Sequence, residues 1–157
     1  MASVRVTQTS TAKSQTCWNL LADFDNMEFF NPGITKSYYM NETKEVGVGT
    51  KRHCDLVDGK NFVREEIIEW KVGEYFMVDI YETSLPVSNS STKFGILPIA
   101  TSGSTVYIEY TYTPPFGPLG GLMNILFLKN YLSKGLQTVV DGLVQKAEER
   151  EYLAKSA

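Results

Sequence analysis

Apolar and polar residues alternate along most of the first 113 positions of the chain, and this period predicts β-strands. Pairs of turn-forming residues, such as Asp58-Gly59 and Ser102-Gly103, separate the alternating segments. The predicted strands span residues 3–9, 34–40, 50–57, 62–70, 75–83, 91–97 and 105–113. Since the links between the last six strands are short, we expect an antiparallel meander.

Two short helices are predicted between the first and second strands. Ser10 or Thr11 offers an N-cap for a helix that continues to Asp23. Asp25 offers a cap for a second short helix, which Asn31-Pro32-Gly33 ends.

The C-terminal part of the chain changes to a period of three and four residues, which predicts one long amphipathic helix. Its apolar stripe consists of Leu122, Ile125, Leu126, Leu132, Leu136, Val140, Leu143 and Ala147. Gly135 and Gly142 lie inside this helix, where each costs about 1 kcal/mol relative to alanine. We therefore expect the helix to pass close to the sheet. The order of elements predicts an α+β fold, with a curved sheet of about seven strands around the C-terminal helix and a cavity between them.

Composition narrows the choice of function. The 157 residues fit a single domain over 1–157, and 43% of them are hydrophobic. A net charge of −3 argues against a nucleic-acid groove. With one histidine, His53, and two distant cysteines, Cys17 and Cys54, we expect neither a zinc site nor any other metal or cofactor. The first ten residues have no apolar stretch, so we expect no secretory signal and a reducing, cytoplasmic location.

Several short motifs occur in one order along the chain. They are Trp18 followed by Leu21-Ala22-Asp23-Phe24, then Gly47-Val48-Gly49-Thr50-Lys51-Arg52, Asp58-Gly59, Glu65, Leu85-Pro86-Val87-Ser88-Asn89 and Thr111-Tyr112-Thr113-Pro114. Together they resemble the SRPBCC superfamily, which has the START-like, helix-grip fold. The polyketide cyclase/dehydrase-like subgroup is the most similar. Two positions depart from the family pattern: Ala12 or Lys13 stands where proline is common, and Ser90 stands where an aromatic residue is common. We therefore transfer no ligand of the family to this chain.

The segments on either side of Asp58-Gly59 carry an arginine and a glutamate in phase with core residues. A two-residue type I′ loop would place Arg52 opposite Glu65. The inner face would then hold Arg52, Cys54, Leu56, Val63, Glu65 and Ile67. The outer, solvent-facing side would hold Lys51, His53, Asp55, Arg64 and Glu66. Since a buried charge needs a partner, the pair is either structural or a polar anchor for a ligand.

The resemblance implies a cavity that binds a small hydrophobic or amphipathic molecule, as a carrier, sensor or sequestering protein. The expected ligand-binding residues are Arg52, Glu65, Cys54, Val63, Phe76, Val78, Phe94, Ile108, Tyr110, Tyr112, Leu122 and Leu126. One alternative is a cyclase or dehydratase-like enzyme that uses Glu65 as general base. A second is a non-catalytic interaction or accessory module. The expected partners are a small hydrophobic molecule or lipid and no nucleic acid, in a monomer or homodimer. The apolar, glycine-rich segment 114–127 could gate the cavity or make transient contact with a membrane.

Overall fold

All seven predicted strands form, and together they make one curved antiparallel sheet. The computed structural model describes residues 1–100, 102–115, 117, 122 and 127–157. Its strands are β1 (Ala2–Ser10), β2 (Ile34–Tyr39), β3 (Lys51–Leu56), β4 (Phe62–Lys71), β5 (Tyr75–Thr83), β6 (Ser88–Pro98) and β7 (Ser104–Thr113). Their order in the sheet is β1-β7-β6-β5-β4-β3-β2, so the meander runs from β2 to β7 and the first strand then pairs with the last.

Within the described residues, the helices follow the predicted order, with two short helices after β1 and one long helix at the end. Helix α1 spans Ser14–Leu21, a 3₁₀ helix spans Met27–Phe29, and helix α2 spans Lys129–Ser156. Ile125 and Leu126 of the predicted apolar stripe, and most of the glycine-rich segment 114–127 that was predicted to gate the cavity, lie outside the described part of the chain. Across the described residues, no helix combines the length and apolar character that crossing a bilayer requires.

The predicted start of α1 is wrong. Ser10 still belongs to β1, and the residue that precedes the helix is Lys13. The C-terminal helix supplies the cap instead, because Glu151 Oε1 accepts hydrogen bonds from the Lys13 backbone N–H at 2.7 Å and from Thr16 Oγ1 at 2.8 Å. A neighbouring carboxylate, Glu148, accepts from the backbone N–H of Thr11 at 2.8 Å. The predicted cap of the second helix is also displaced by one residue, from Asp25 to Asn26.

Helix α2 buries one face against β1, β7 and α1. Its buried residues are Val139, Val140, Leu143, Val144 and Ala147. Gly142 lies against the backbone that follows the 3₁₀ helix, since a Cβ at this position would stand 2.1 Å from the carbonyl oxygen of Phe30. At Gly135 a Cβ would meet no atom of the described residues within 4 Å. The close approach that we expected therefore occurs at one glycine only, and toward a turn and not the sheet.

The register between β3 and β4 is the predicted one, although the loop is different. Arg52 pairs with Glu65, and Cys54 with Val63. The loop contains four residues, because the backbone N–H of Leu56 donates to the carbonyl of Asn61 at 2.9 Å. A type I′ loop needs positive φ at two successive residues. Here Gly59 has a φ of 69°, whereas Asp58 has no positive φ. Loops of two and four residues differ by an even number, so the same residues face the core.

His53 is the exception on the outer face, where the sequence predicted exposure to solvent. The ring is buried, since it stacks between Tyr38 and Phe62 at centroid distances of 5.0 and 5.2 Å. Its Nε2 lies 2.8 Å from Asp55 Oδ1, and Arg64 Nε donates to Nδ1 at 3.1 Å. Because Arg64 can only donate, Nδ1 is the acceptor and Nε2 carries the hydrogen. Both ring nitrogens are thus engaged, and neither serves the cavity.

Candidate functional site

A cavity of about 170 Å³ lies between the concave face of the sheet and helix α2. The sheet contributes Cys54, Val63, Glu65, Ile80, Thr92, Phe94, Ile108 and Tyr110 to its walls. The helix contributes Leu132, Leu136 and Val139, and the loops and strand ends contribute Met27, Asn31, Ile34 and Leu85. Most of these side chains are apolar, and among the described lining residues Glu65 is the one that carries a charge.

Six of the twelve residues predicted from the sequence line this cavity: Cys54, Val63, Glu65, Phe94, Ile108 and Tyr110. Four others, Arg52, Phe76, Val78 and Tyr112, are buried, but they are not among the described residues that line the cavity. Leu122 is 62% exposed, and Leu126 lies outside the described residues.

The buried residues that do not line the cavity support its wall. Phe76 stacks on Phe94 with a centroid distance of 5.0 Å and on Trp70 at 5.4 Å. Trp18 packs against Trp70 at 5.2 Å, so α1 joins the same aromatic cluster. Since these rings hold Phe94 from behind, they fix the wall that a ligand would meet.

Sequence reasoning missed the cavity residues Met27, Asn31 and Ile34. Met27 begins the 3₁₀ helix, Asn31 lies in the turn that follows it, and Ile34 begins β2. Ser37 Oγ holds this turn to β2, because it accepts from the Met27 backbone N–H at 3.0 Å and donates to the Asp25 carbonyl at 2.9 Å. A turn has no period, so pattern analysis along the sequence has no signal for such residues.

Arg52 and Glu65 form a buried ion pair beside the cavity. Arg52 Nε and Nη2 each donate to Glu65 Oε1 at 3.1 Å, and Nη1 donates to the carbonyl of Phe24 at 2.6 Å. The guanidinium also stacks over the Phe24 ring, 3.8 Å from its centroid. The Arg52 side chain is only 2% exposed. Arg52 therefore lies behind Glu65, and its charge is directed at Glu65 and Phe24.

The pKa values of Arg52 and of the neighbouring Cys54 both differ from their ordinary values. Burial disfavours the charge of Arg52, but the carboxylate of Glu65 more than compensates and keeps the pKa of Arg52 above its usual range. Burial raises the pKa of the Cys54 thiol to about 12, and the nearby guanidinium of Arg52 only partly opposes this. Cys54 is thus a neutral thiol, and a neutral thiol is a poor nucleophile.

A bulge in β6 directs one polar side chain inward. The pairing of β6 with β7 shifts between Ser88 and Ser91, and Asn89 has a φ of 46°. Asparagine tolerates this left-handed conformation better than most residues do. Next to it, Ser90 is buried, and its side chain forms a hydrogen bond to the phenol of Tyr110. The hydroxyl of this cavity residue is therefore contacted by Ser90, the residue that follows the motif Leu85 to Asn89.

The geometry agrees with a family assignment over most of the chain. The sequence model of the family described as "Polyketide cyclase / dehydrase and lipid transport" matches residues 1–148. The chain belongs to this SRPBCC family. A comparison with curated proteins found no match.

Solved structures with similar folds include several proteins from bacteria. The protein XoxI from Bacillus cereus has 21% identity and a TM-score of 0.74, and the match covers 96% of this chain and 99% of that one. A START superfamily protein from Mycobacterium smegmatis has 14% identity and a TM-score of 0.72, with coverage of 94% and 97%. The Zhui aromatase/cyclase from Streptomyces sp. R1128 has 16% identity and a TM-score of 0.70, with coverage of 95% and 94%. At these identities the similarity to the solved structures shows the fold alone.

Proposed function

We propose that this protein binds a small hydrophobic or amphipathic molecule in the cavity between the sheet and α2, as a carrier, sensor or sequestering protein. The observation that carries the proposal is a cavity with apolar walls and one carboxylate, Glu65, on its surface. Ligand sites in proteins commonly combine apolar walls with a few fixed polar groups. Here Arg52 fixes the polar group through two hydrogen bonds.

The volume limits the size of the ligand. A cavity of about 150 Å³ lined by aliphatic and aromatic side chains can hold benzene, whereas sites for drug-sized ligands have about 300–1,000 Å³. With about 170 Å³, the cavity has room for one substituted ring or a chain of similar volume. A larger lipid would require α2 to move away from the sheet.

The experiment that tests the proposal is native mass spectrometry of the purified protein, followed by a thermal-shift screen of small aromatic and aliphatic compounds. Leu136→Trp places a large side chain in the cavity, and Thr138→Trp adds the same side chain at an exposed position of the same helix. We expect ligands to bind the wild-type protein and Thr138→Trp but not Leu136→Trp. If no compound binds, the proposal fails. The exposed side chains of Leu122, Phe127 and Tyr131 would then favour an interaction module.

A second candidate function, a cyclase or dehydratase-like enzyme, uses the same carboxylate. It is favoured by the position of Glu65 on the cavity wall, where a bound ketone or alcohol would be within reach of a general base. Glu65→Gln distinguishes the two functions once a ligand is known. In an enzyme the change would abolish turnover while the ligand still binds, and in a binding protein there would be no turnover to lose.

A further inference from the structure

The ion pair beside the cavity is asymmetric in its hydrogen bonding. Within the described part of the chain, every hydrogen bond to the Glu65 carboxylate goes to Oε1, from Arg52 Nε, Arg52 Nη2 and, at 3.9 Å, the thiol of Cys54. Among the described residues, every fully buried side-chain oxygen or nitrogen has a hydrogen-bond partner. From these residues Oε2 accepts no hydrogen bond. Because Glu65 lines the cavity and its Oε1 is directed at Arg52, we take Oε2 as the oxygen available to a molecule in the cavity.

The cavity has no positive charge to offer an anion. None of its described lining residues is a lysine, arginine or histidine. Arg52 is the nearest cation of the site, and three of its N–H groups are already donated to Glu65 and the Phe24 carbonyl. A carboxylate or phosphate in the cavity would therefore lie next to Glu65 Oε2 without a counterion, and burying two like charges together is costly.

These two observations define the polar group of the ligand. We infer that the ligand is a neutral molecule of about one ring in size whose hydroxyl group donates a hydrogen bond to Glu65 Oε2, and that the cavity rejects carboxylates and phosphates of the same size. The inference rests on the proposed binding function and adds to it the chemical class of the ligand. It also changes the role of Arg52, which the sequence predicted to be a ligand-binding residue: here Arg52 orients Glu65 and does not bind the ligand itself.

Two isomers and one anion test the inference on the wild-type protein. The probes are 4-ethylphenol, which has a hydroxyl donor, 4-methylanisole, which has the same atoms but no donor, and 4-methylbenzoate, which is an anion. Titration is followed by NMR chemical shifts or calorimetry near neutral pH. A hydrogen bond to a charged group should favour the phenol over its isomer by about tenfold or more. The benzoate should bind weakest, at least about 100-fold below the phenol.

The outcomes separate the inference from the proposed function. If the two isomers bind equally, or if the benzoate binds as tightly as the phenol, the inference is overturned while the proposed binding function stands. If none of the three probes binds, and the wider screen of apolar compounds also finds no ligand, both fail.

Two double variants test whether the ion pair of Arg52 and Glu65 causes the preference for the phenol over its isomer. Arg52→Met with Glu65→Met replaces the ion pair by apolar side chains, so the ratio of the two isomer affinities should fall to about one while both isomers still bind. Lys51→Met with Glu66→Met removes the neighbouring ion pair of the same two strands, which lies on the outer face with a separation of 3.4 Å. This control should keep the wild-type ratio. Discrimination that persists without Glu65 would also overturn the inference, and the isomer comparison on the wild-type protein holds even if the first double variant does not fold.

Discussion

The backbone N–H of Lys13 donates a hydrogen bond to Oε1 of Glu151, 138 positions later in the chain, at 2.7 Å. Among the described residues, α1 receives no side-chain cap from its own N-cap residue. A helix N-terminus leaves up to four N–H groups without an internal partner and favours a negative charge nearby. Helix α2 therefore completes α1, and the two helices are coupled through one carboxylate.

Glu151→Ala should destabilise the fold by about 1 kcal/mol, which is typical for the loss of a helix cap. Chemical denaturation near neutral pH measures the change. Glu149→Ala is the matched control, because Glu149 bonds only to Gln145 and Lys146 of its own helix among the described residues. Its effect should stay within about 0.5 kcal/mol. Equal losses in both variants would contradict the capping role.

The same carboxylate should contribute to the acid dependence of stability. The hydrogen bond from the Lys13 N–H, with help from Thr16, holds the pKa of Glu151 below its usual value in the folded state. A lowered folded-state pKa gives stability that is present above the ordinary pKa and is lost as pH falls through the lowered one. The difference in stability between the wild-type protein and Glu151→Ala should therefore shrink as the solution is acidified over this range. A difference that stays constant there would argue against the assignment.

Removing one partner of the buried ion pair should be far more damaging than removing both. Arg52→Met leaves Glu65 without its main donor, and breaking such a pair typically costs about 3–5 kcal/mol. Replacing Glu65 by methionine as well should recover most of this loss, since two apolar side chains can then pack together. The exposed pair Lys51 and Glu66 should contribute at most about 1 kcal/mol. A double-mutant cycle by denaturation measures both coupling energies, and similar values for the two pairs would be the contrary result.

The two glycines of α2 should respond in opposite directions to alanine. Gly135→Ala should stabilise the protein by up to about 1 kcal/mol, because alanine is the better helix former and the site is exposed. Gly142→Ala should destabilise it, because the new methyl group would collide with the Phe30 carbonyl. Melting temperatures of the two variants check this, and a rise for both would show that the turn can move away.

Cys54 should resist alkylation in the folded protein. The thiolate is the reactive form, and burial keeps the pKa of Cys54 at about 12 against an ordinary value of 9.0. Iodoacetamide at mildly alkaline pH should modify this residue only after unfolding, as mass spectrometry of the peptides would show. Since the folded-state pKa is the higher one, stability should also decrease between pH 9 and pH 12. Cys54→Ser should weaken that decrease, and rapid labelling of the native protein would contradict the burial.

The sequence predicted the sheet well because its signals are local and periodic. Alternation located every strand, and the turn at Asp58-Gly59 gave the register that places Arg52 opposite Glu65. The loop type predicted at Asp58-Gly59 was wrong, but this error did not change the register of the two strands. Asp58 Oδ1 accepts from the backbone N–H groups of Lys60 and Asn61, which favours a longer loop that has the same parity.

Features that depend on distant partners were not predicted. The cap of α1 comes from Glu151. Ser10 cannot cap this helix because it belongs to β1. His53 follows the outer-face pattern, but Tyr38 from β2 covers it. In each case the deciding contact joins residues of two different elements, and the pattern of residues along one element does not reveal such a contact. Whether the lining residues bind a ligand stays a prediction.

The place of β1 in the sheet has a consequence for how the chain is made. Ala2 pairs with Tyr112 and Ser10 with Ser104, so β1 leaves the ribosome about 100 residues before its sheet partner β7. The carboxylate that caps α1 is synthesised later still, because Glu151 belongs to the last turns of α2. Contacts between such distant residues slow folding, since the intervening chain must be closed into a loop first. The N-terminal segment should therefore remain open until β7 and α2 have been synthesised, and the cavity can close only then.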